Sequence, residues 1–143
     1  AEKGFIIVGQ ETDGSVTPID LDMDWIVSKK KYDFVGKRAL NRSDTIKRDR
    51  KQLVGLKTKD PKKILEEGSQ LVDEITALPM KMVGHVTSSY YSPNLGRSFA
   101  LALIKGGLDK KGKKLLAPME NETIEVEITD PVFIDPENKR INQ

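Results

Sequence analysis

The chain has 143 residues, no cysteine, 24 Lys and Arg against 22 Asp and Glu, and a formal net charge of +2. That composition excludes disulfides and thiolate metal sites, and the length suits one domain that buries a core without covalent staples. No apolar run approaches the roughly 20 residues of a membrane-spanning helix and no signal-peptide pattern opens the chain, so a soluble, cytoplasmic protein is the expectation.

Ala1 runs directly into EKGFIIVG, which suggests a cut inside a longer polypeptide. Residues 5–8, FIIV, are expected to form a short buried strand, and QETDGS after them a turn with Gly14 at its tip. Thr17-Pro18 can open a short helix, because proline is tolerated in a first turn. DWIVS continues as a strand or its beginning. In DFVGKRAL, residues 33–40, Asp33 is expected to cap a helical turn whose apolar side is Phe34, Ala39 and Leu40. NRSDTIKRDR is polar and basic and reads as an exposed connection. It also ends a crowded stretch of lysines and arginines between Lys29 and Lys51, a solvated face or an anion-binding one.

Beyond residue 50 the pattern changes to short strands. KQLVGLKTKD carries Leu53, Val54 and Leu56; PKKILEE is expected to make a single helical turn before GSQLVDE. HVTSS is rich in strand formers. GRSFALALIKGG alternates strictly, with Phe99, Leu101 and Leu103 on one face and Ala100, Ala102 and Ile104 on the other. The two alanines suggest close approach of another layer. ETIEVEITD places Ile124, Val126 and Ile128 inward and its glutamates mostly outward. Short strands separated by Gly, Pro and Asn predict an antiparallel barrel or sandwich, and closure into a barrel would remove exposed strand edges. SPNLGRS fits a hairpin loop, with Pro93 fixing φ, Asn94 tolerating left-handed geometry and Gly96 relaxing the exit.

Chemistry is harder to find. His85 is the single histidine, and Ser88, Ser89 and Ser92 follow it closely. On an extended chain Ser88 and Ser89 lie about 10 Å or more from it, too far for a nucleophile–base pair. No metal site is expected. DLDMD lacks the glycine and terminal glutamate of a calcium loop. GKRAL and GLDKKGKK lack the spacing of a phosphate loop, and aromatics at 6% are too few to stack on nucleic-acid bases.

In order, GFIIVGQETDGSVTPIDLDMDW, KYDFVGKRAL, RKQLVGL and GHVTSSYYSPNLGRSFALALI resemble the C-terminal part of the aminomethyltransferase family, whose type member is the glycine-cleavage T-protein. The residues that carry the likeness include Glu2, Gly4, Thr17, Pro18, Asp20, Trp25, Asp33, Phe34, Gly36, Ala39 and Leu40. From the second half come Gly84, Val86, Thr87, Ser88, Ser92, Pro93 and Leu95. Within the family, SKKKYDFVGKRAL, DRKQLVGL, HVTSSYYSPNLGRSFALAL and TDPVFIDPENKR are most similar to the α subunit of heterotetrameric sarcosine oxidase.

The resemblance implies an α+β, mainly β fold: residues 1–47 a remnant of the folate-binding α+β domain, residues 48–143 a C-terminal Greek-key antiparallel β-barrel. It implies part of an enzyme that oxidatively demethylates sarcosine to glycine and passes the one-carbon unit to tetrahydrofolate, giving 5,10-methylenetetrahydrofolate. FAD, FMN and NAD would sit elsewhere in the complex. The partners would be the other subunits of the heterotetramer and the missing N-terminal part of the same chain. The family's catalytic aspartate lies upstream, so no catalytic residue is expected here and the isolated chain is expected to be inactive. Glu2 matches the glutamate that recognises the pterin, where a carboxylate can accept two parallel hydrogen bonds. Lys29, Lys30 and Lys31 fall where relatives place basic residues near the folate's glutamate tail. Val8 replaces a tyrosine common in relatives, and Tyr90 and Tyr91 replace small residues. The alternatives are a T-protein or dimethylglycine dehydrogenase-like fragment, or a subunit-interaction module with no ligand of its own.

Overall fold

The computed structural model describes residues 1–142. Its organising element is a closed barrel of six antiparallel strands: β1 (Lys51–Thr58), β2 (Gln70–Val72), β3 (Met82–Ser92), β4 (Arg97–Lys105), β5 (Lys114–Pro118) and β6 (Thr123–Thr129). Around the barrel they run β1-β4-β3-β2-β5-β6. β2, β3 and β4 follow one another as hairpins while β1 lies beside β4, which is a Greek-key connection. The barrel form, and the inward set Ile124, Val126 and Ile128, are as expected. No described helix is long and apolar enough to cross a membrane.

Alternation explains the interior. Val54, Leu56, Val86, Ala100, Ala102, Ile104, Leu115 and Ala117 are buried with the three β6 residues in one apolar cluster. The alanines of β4 therefore line the barrel's own interior, where small side chains fit the taper. The extra layer lies on the opposite face: Leu53, Leu101 and Leu103 are covered by Leu21, with Ile6, Val16, Met23 and Phe133 packed alongside. Both faces of β4 are buried for that reason. A bulge between Val86 and Ser88 shifts the β3–β4 register from Val86↔Ala102 to Ser88↔Leu101.

The N-terminal segment departs from its expected elements. FIIV forms no strand: Phe5 is 71% and Val8 88% exposed, and Val8 makes only an isolated bridge with Thr12. A closed barrel leaves no edge for it to join. DWIVS is a 3-10 turn at Asp24–Ile26 rather than a strand. The helix α1 is short, Lys37–Leu40, and Gly36 in left-handed geometry occupies its N-cap position. Asp33 instead accepts the N–H of Phe34 at 2.9 Å and caps nothing. PKKILEE makes a turn, Lys63 N–H to Asp60 carbonyl at 3.1 Å, with Leu65 buried after it.

Thr17 does open a turn, and its chemistry is reciprocal. Asp20 accepts the Thr17 N–H and hydroxyl, each at 2.9 Å, while the Thr17 hydroxyl oxygen accepts the Asp20 N–H at 3.3 Å. This is the pattern of a capping box with aspartate in place of glutamate. Arg50, from the basic connection, then forks onto the same carboxylate.

Candidate functional site

The two ends of the chain meet beside the β3–β4 hairpin. After β6 the chain turns back, and the N–H groups of Phe133 and Ile134 donate to the Glu2 carbonyl at 2.8 and 3.1 Å. Lys3 closes the same junction by donating to the Asp135 carbonyl at 2.7 Å and to its carboxylate at 3.2 Å. With its backbone held, Glu2 presents its side chain to the hairpin. The Ser92 hydroxyl donates to one carboxylate oxygen, and the Asn94 amide donates to the other at 3.4 Å. Ser92 is itself fixed, because its oxygen accepts the N–H of Leu95 at 3.0 Å.

Glu2 lines an open cleft of about 450 Å³ whose other walls include Phe5, Tyr90, Tyr91 and Phe99. Phe99 is buried and anchors the aromatic side, with its ring centroid 5.7 Å from Tyr90 and 4.7 Å from Phe133. An ionised carboxylate has about four acceptor positions, and the hairpin takes two of them. A carboxylate with acceptors to spare, beside aromatic faces, suits a flat ring that carries adjacent N–H donors.

The lysines stand apart from this cleft. Lys29 pairs with Asp24 at 3.4 Å, both side chains exposed, and lines a different hollow with Val27, Phe34 and Ile46. Lys30 and Lys31 are exposed. The Lys31 carbonyl accepts from Lys37 Nζ at 3.3 Å.

The serines near His85 all have structural partners. Ser88 donates to Glu11 at 2.8 Å, Ser89 accepts the Leu65 N–H at 3.2 Å, and Ser92 serves Glu2. His85 meets Lys51 instead, Nδ1 to Nζ 3.3 Å. Burial first, then the Lys51 charge, hold the imidazole below its ordinary pKa, with Asp13 opposing. No group of three or more His, Asp or Glu among the described residues could hold a metal ion.

One residue that sequence reasoning missed is Glu11. It is fully buried, accepts the Ile7 N–H at 2.7 Å, and binds Ser88 of β3. Its local pattern, QETDG, reads only as a turn. The partner that makes burial tolerable lies 77 positions away, so local spacing carries no signal for it.

Residues 51–135 match the model of the glycine cleavage T-protein C-terminal barrel domain. The chain is 49% identical over 98% of its length to sarcosine oxidase subunit alpha of Corynebacterium sp. (strain U-96). Against the same subunit of strain P-1 the identity is 50%, also over 98% of this chain. It is 37% over 99% of this chain against that of Rhizobium meliloti (strain 1021). The chain spans about 15% of the length of these curated relatives. The crystal structure of glycine cleavage system aminomethyltransferase T from Bartonella henselae shares the fold, with a TM-score of 0.79 and 23% identity. That likeness covers 94% of this chain and 37% of the other. The barrel and the matched residues together establish that the chain belongs to the family of the glycine cleavage T-protein C-terminal barrel domain.

Proposed function

We propose that the chain forms one wall of a tetrahydrofolate site in a sarcosine-oxidase-type α subunit. The observation that carries this reading is Glu2: its carboxylate is anchored by Ser92 and Asn94, retains acceptor positions, and borders an aromatic cleft. The high identity to α subunits of sarcosine oxidase supports the same reading. In such an enzyme a flavin oxidises the N-methyl group of sarcosine, and tetrahydrofolate accepts the one-carbon unit as 5,10-methylenetetrahydrofolate. The residues of this chain bind and orient rather than react. Glu2 accepts the ring N–H and exocyclic amine of the pterin, and Ser92 and Asn94 set its angle.

The test is a tetrahydrofolate titration of the full-length protein. Hydrogen bonds to a charged group contribute about 1.5–3 kcal/mol, so Glu2→Gln is expected to weaken affinity about 10- to 100-fold. Oxidation of sarcosine with release of formaldehyde would continue. An unchanged affinity removes the pterin assignment.

Lys29, Lys30 and Lys31 would then attract the polyanionic glutamate tail from outside the ring site. Three exposed lysines together contribute about 1 kcal/mol, and salt screens them. Exchanging all three for glutamine is expected to weaken polyglutamylated folate at low salt by about fivefold at most, with no effect near 1 M salt. The same loss at both ionic strengths would rule out an electrostatic role.

A second reading is favoured by the exposed Val8, Trp25, Tyr32 and Val35 of the N-terminal segment. Exposed apolar surface of this kind marks interaction sites. In that reading the chain holds the α subunit and its partner subunits together, and folate contacts lie elsewhere. Tetrahydrofolate affinity unaffected by Glu2→Gln, with assembly lost on Trp25→Ala, is the result that would select it.

A further inference from the structure

A third hollow, on the outer face of the barrel wall, takes no part in the proposed folate site. It has a volume of about 230 Å³ and is lined by Asp13, Ser15, Val16, Arg50, Lys51, His85 and Leu103. Its floor is β-sheet: Lys51 opens β1, His85 lies in β3, and Leu103 of β4 is the register partner of both Leu53 and His85. The N-terminal turn supplies the rim.

Of the lysine and arginine charges around it, only that of Lys51 lacks a direct ionic partner among the described residues. Arg50 is satisfied by Asp20 and by the Ser15 carbonyl at 2.6 Å. Asp13 is the one carboxylate on the rim, and the Ser15 N–H and hydroxyl occupy one of its oxygens at 2.7 and 2.6 Å. Those bonds keep Asp13 below the usual carboxylate range. Lys51 has no carboxylate within ion-pair distance among the described residues. Its cross-strand register partner is Lys105, a second cation, and the register partner of His85 on β2 is Gln70, which is uncharged.

Lys51 therefore spends a proton on the neutral Nδ1 of His85, and the ring's remaining N–H is at Nε2. An ammonium beside an imidazole, both partly buried and with no carboxylate in direct contact, is an arrangement completed by an oxyanion. The oxyanion would replace Nδ1 as the acceptor for the ammonium, and the ring, once protonated at Nδ1, would donate to the same oxyanion.

We propose that this hollow binds a small doubly charged oxyanion, of the phosphate or dicarboxylate type, between Lys51 and His85. The site is separate from the Glu2 cleft: the two hollows have no lining residue in common. Binding and protonation are linked. The anion favours the imidazolium, so its affinity rises as the pH falls through the titration range of His85, provided the anion keeps its charge.

The single histidine makes the test direct, because its ring protons give one set of resonances in the proton NMR spectrum of the 143-residue chain. His85 would be titrated with pH in sodium chloride, then in inorganic phosphate and in glutarate at matched ionic strength. The expected result is an upward movement of the His85 midpoint with phosphate, glutarate or both, saturating with concentration. Response to one alone identifies which oxyanion geometry the site accepts. Lys51→Met is expected to raise the midpoint in chloride, by removing the neighbouring charge, and to weaken phosphate about tenfold. His85→Gln, followed by calorimetry, is expected to retain weak binding that no longer strengthens on acidification. A midpoint identical in all three salts overturns the proposal, as does a phosphate response that survives Lys51→Met unchanged.

Discussion

Asp20→Ala is expected to lower the unfolding free energy by about 3–5 kcal/mol, the loss typical of removing one member of a buried ion pair. Asp20 is 1% exposed and has no apolar role; its carboxylate exists to be hydrogen-bonded. It takes the Thr17 N–H and hydroxyl at 2.9 Å and the Arg50 Nε and Nη2 at 3.0 and 2.8 Å. Its own carbonyl accepts the N–H of Leu53 at 2.7 Å, so the same residue ties the N-terminal turn to β1. Removing the carboxylate leaves the Thr17 donors unpaired and a guanidinium with only the Ser15 and Asp44 carbonyls. Asp20→Asn keeps the shape and one acceptor, so its loss is expected to be smaller. Urea unfolding of both variants, completed by Arg50→Ala and the double mutant, measures the coupling directly. A loss below about 1 kcal/mol for Asp20→Ala would mean that water already screens the pair.

The barrel was legible where burial on one face imposes a period of two. β6 shows Ile124, Val126 and Ile128 at every second position, and only these enter the interior. β4 was legible as a strand, but not which of its faces lines the barrel. Phe99, Leu101 and Leu103 are as apolar as an interior; residues 6–23 and Phe133 cover the two leucines, and Phe133 and Tyr90 pack on Phe99. β5 escaped notice because lysines precede it and Pro118 ends it. Its pairing with β6, Leu115↔Val126 and Ala117↔Ile124, rather than its composition, makes it a strand. FIIV failed in the opposite sense. It has strand composition, yet composition supplies no partner ladder and the barrel's edges are all taken.

The candidate site was pointed to only through resemblance. Glu2 on its own reads as an exposed terminal glutamate, and the hairpin that positions it lies 90 residues downstream. The resemblance rests on Glu2 and Gly4 together with Ser92, Pro93 and Leu95, without giving a reason for the pairing. The hydrogen bond from Ser92 to Glu2 supplies a structural one, because it joins the two segments and fixes the rotamer of the carboxylate. The lysines illustrate the limit of such reasoning. A run of charge in sequence fixes neither a direction nor a partner, and Lys29 is paired with Asp24 beside another hollow.

Gly55→Ala tests whether the strap that holds Glu2 depends on a missing side chain in β1. Glycine inside a strand ordinarily costs about 0.5–1 kcal/mol relative to alanine, so its presence needs a reason. The reason is the returning C-terminal segment. A Cβ at Gly55 would lie 2.2 Å from the Asp130 carbonyl oxygen, 2.7 Å from the Phe133 ring and 2.8 Å from the Thr129 hydroxyl. The nearest of these is backbone and cannot swing aside, so either the strand or the strap must move. Overpacking of this kind costs about 1–3 kcal/mol, and the backbone clash puts Gly55→Ala near the upper end, about 3 kcal/mol. Gly14→Ala is the control: a Cβ there meets nothing within 4 Å, and its effect is expected within about 0.5 kcal/mol. If the strap moves, the N–H groups of Phe133 and Ile134 leave the Glu2 carbonyl, and their hydrogen exchange accelerates beyond what the global loss of stability explains. The cleft would then lose its fixed carboxylate although no residue lining it had changed. Lost stability without faster local exchange at Phe133 would instead place the strain in the ladder that pairs Gly55 with Leu101 and Thr129.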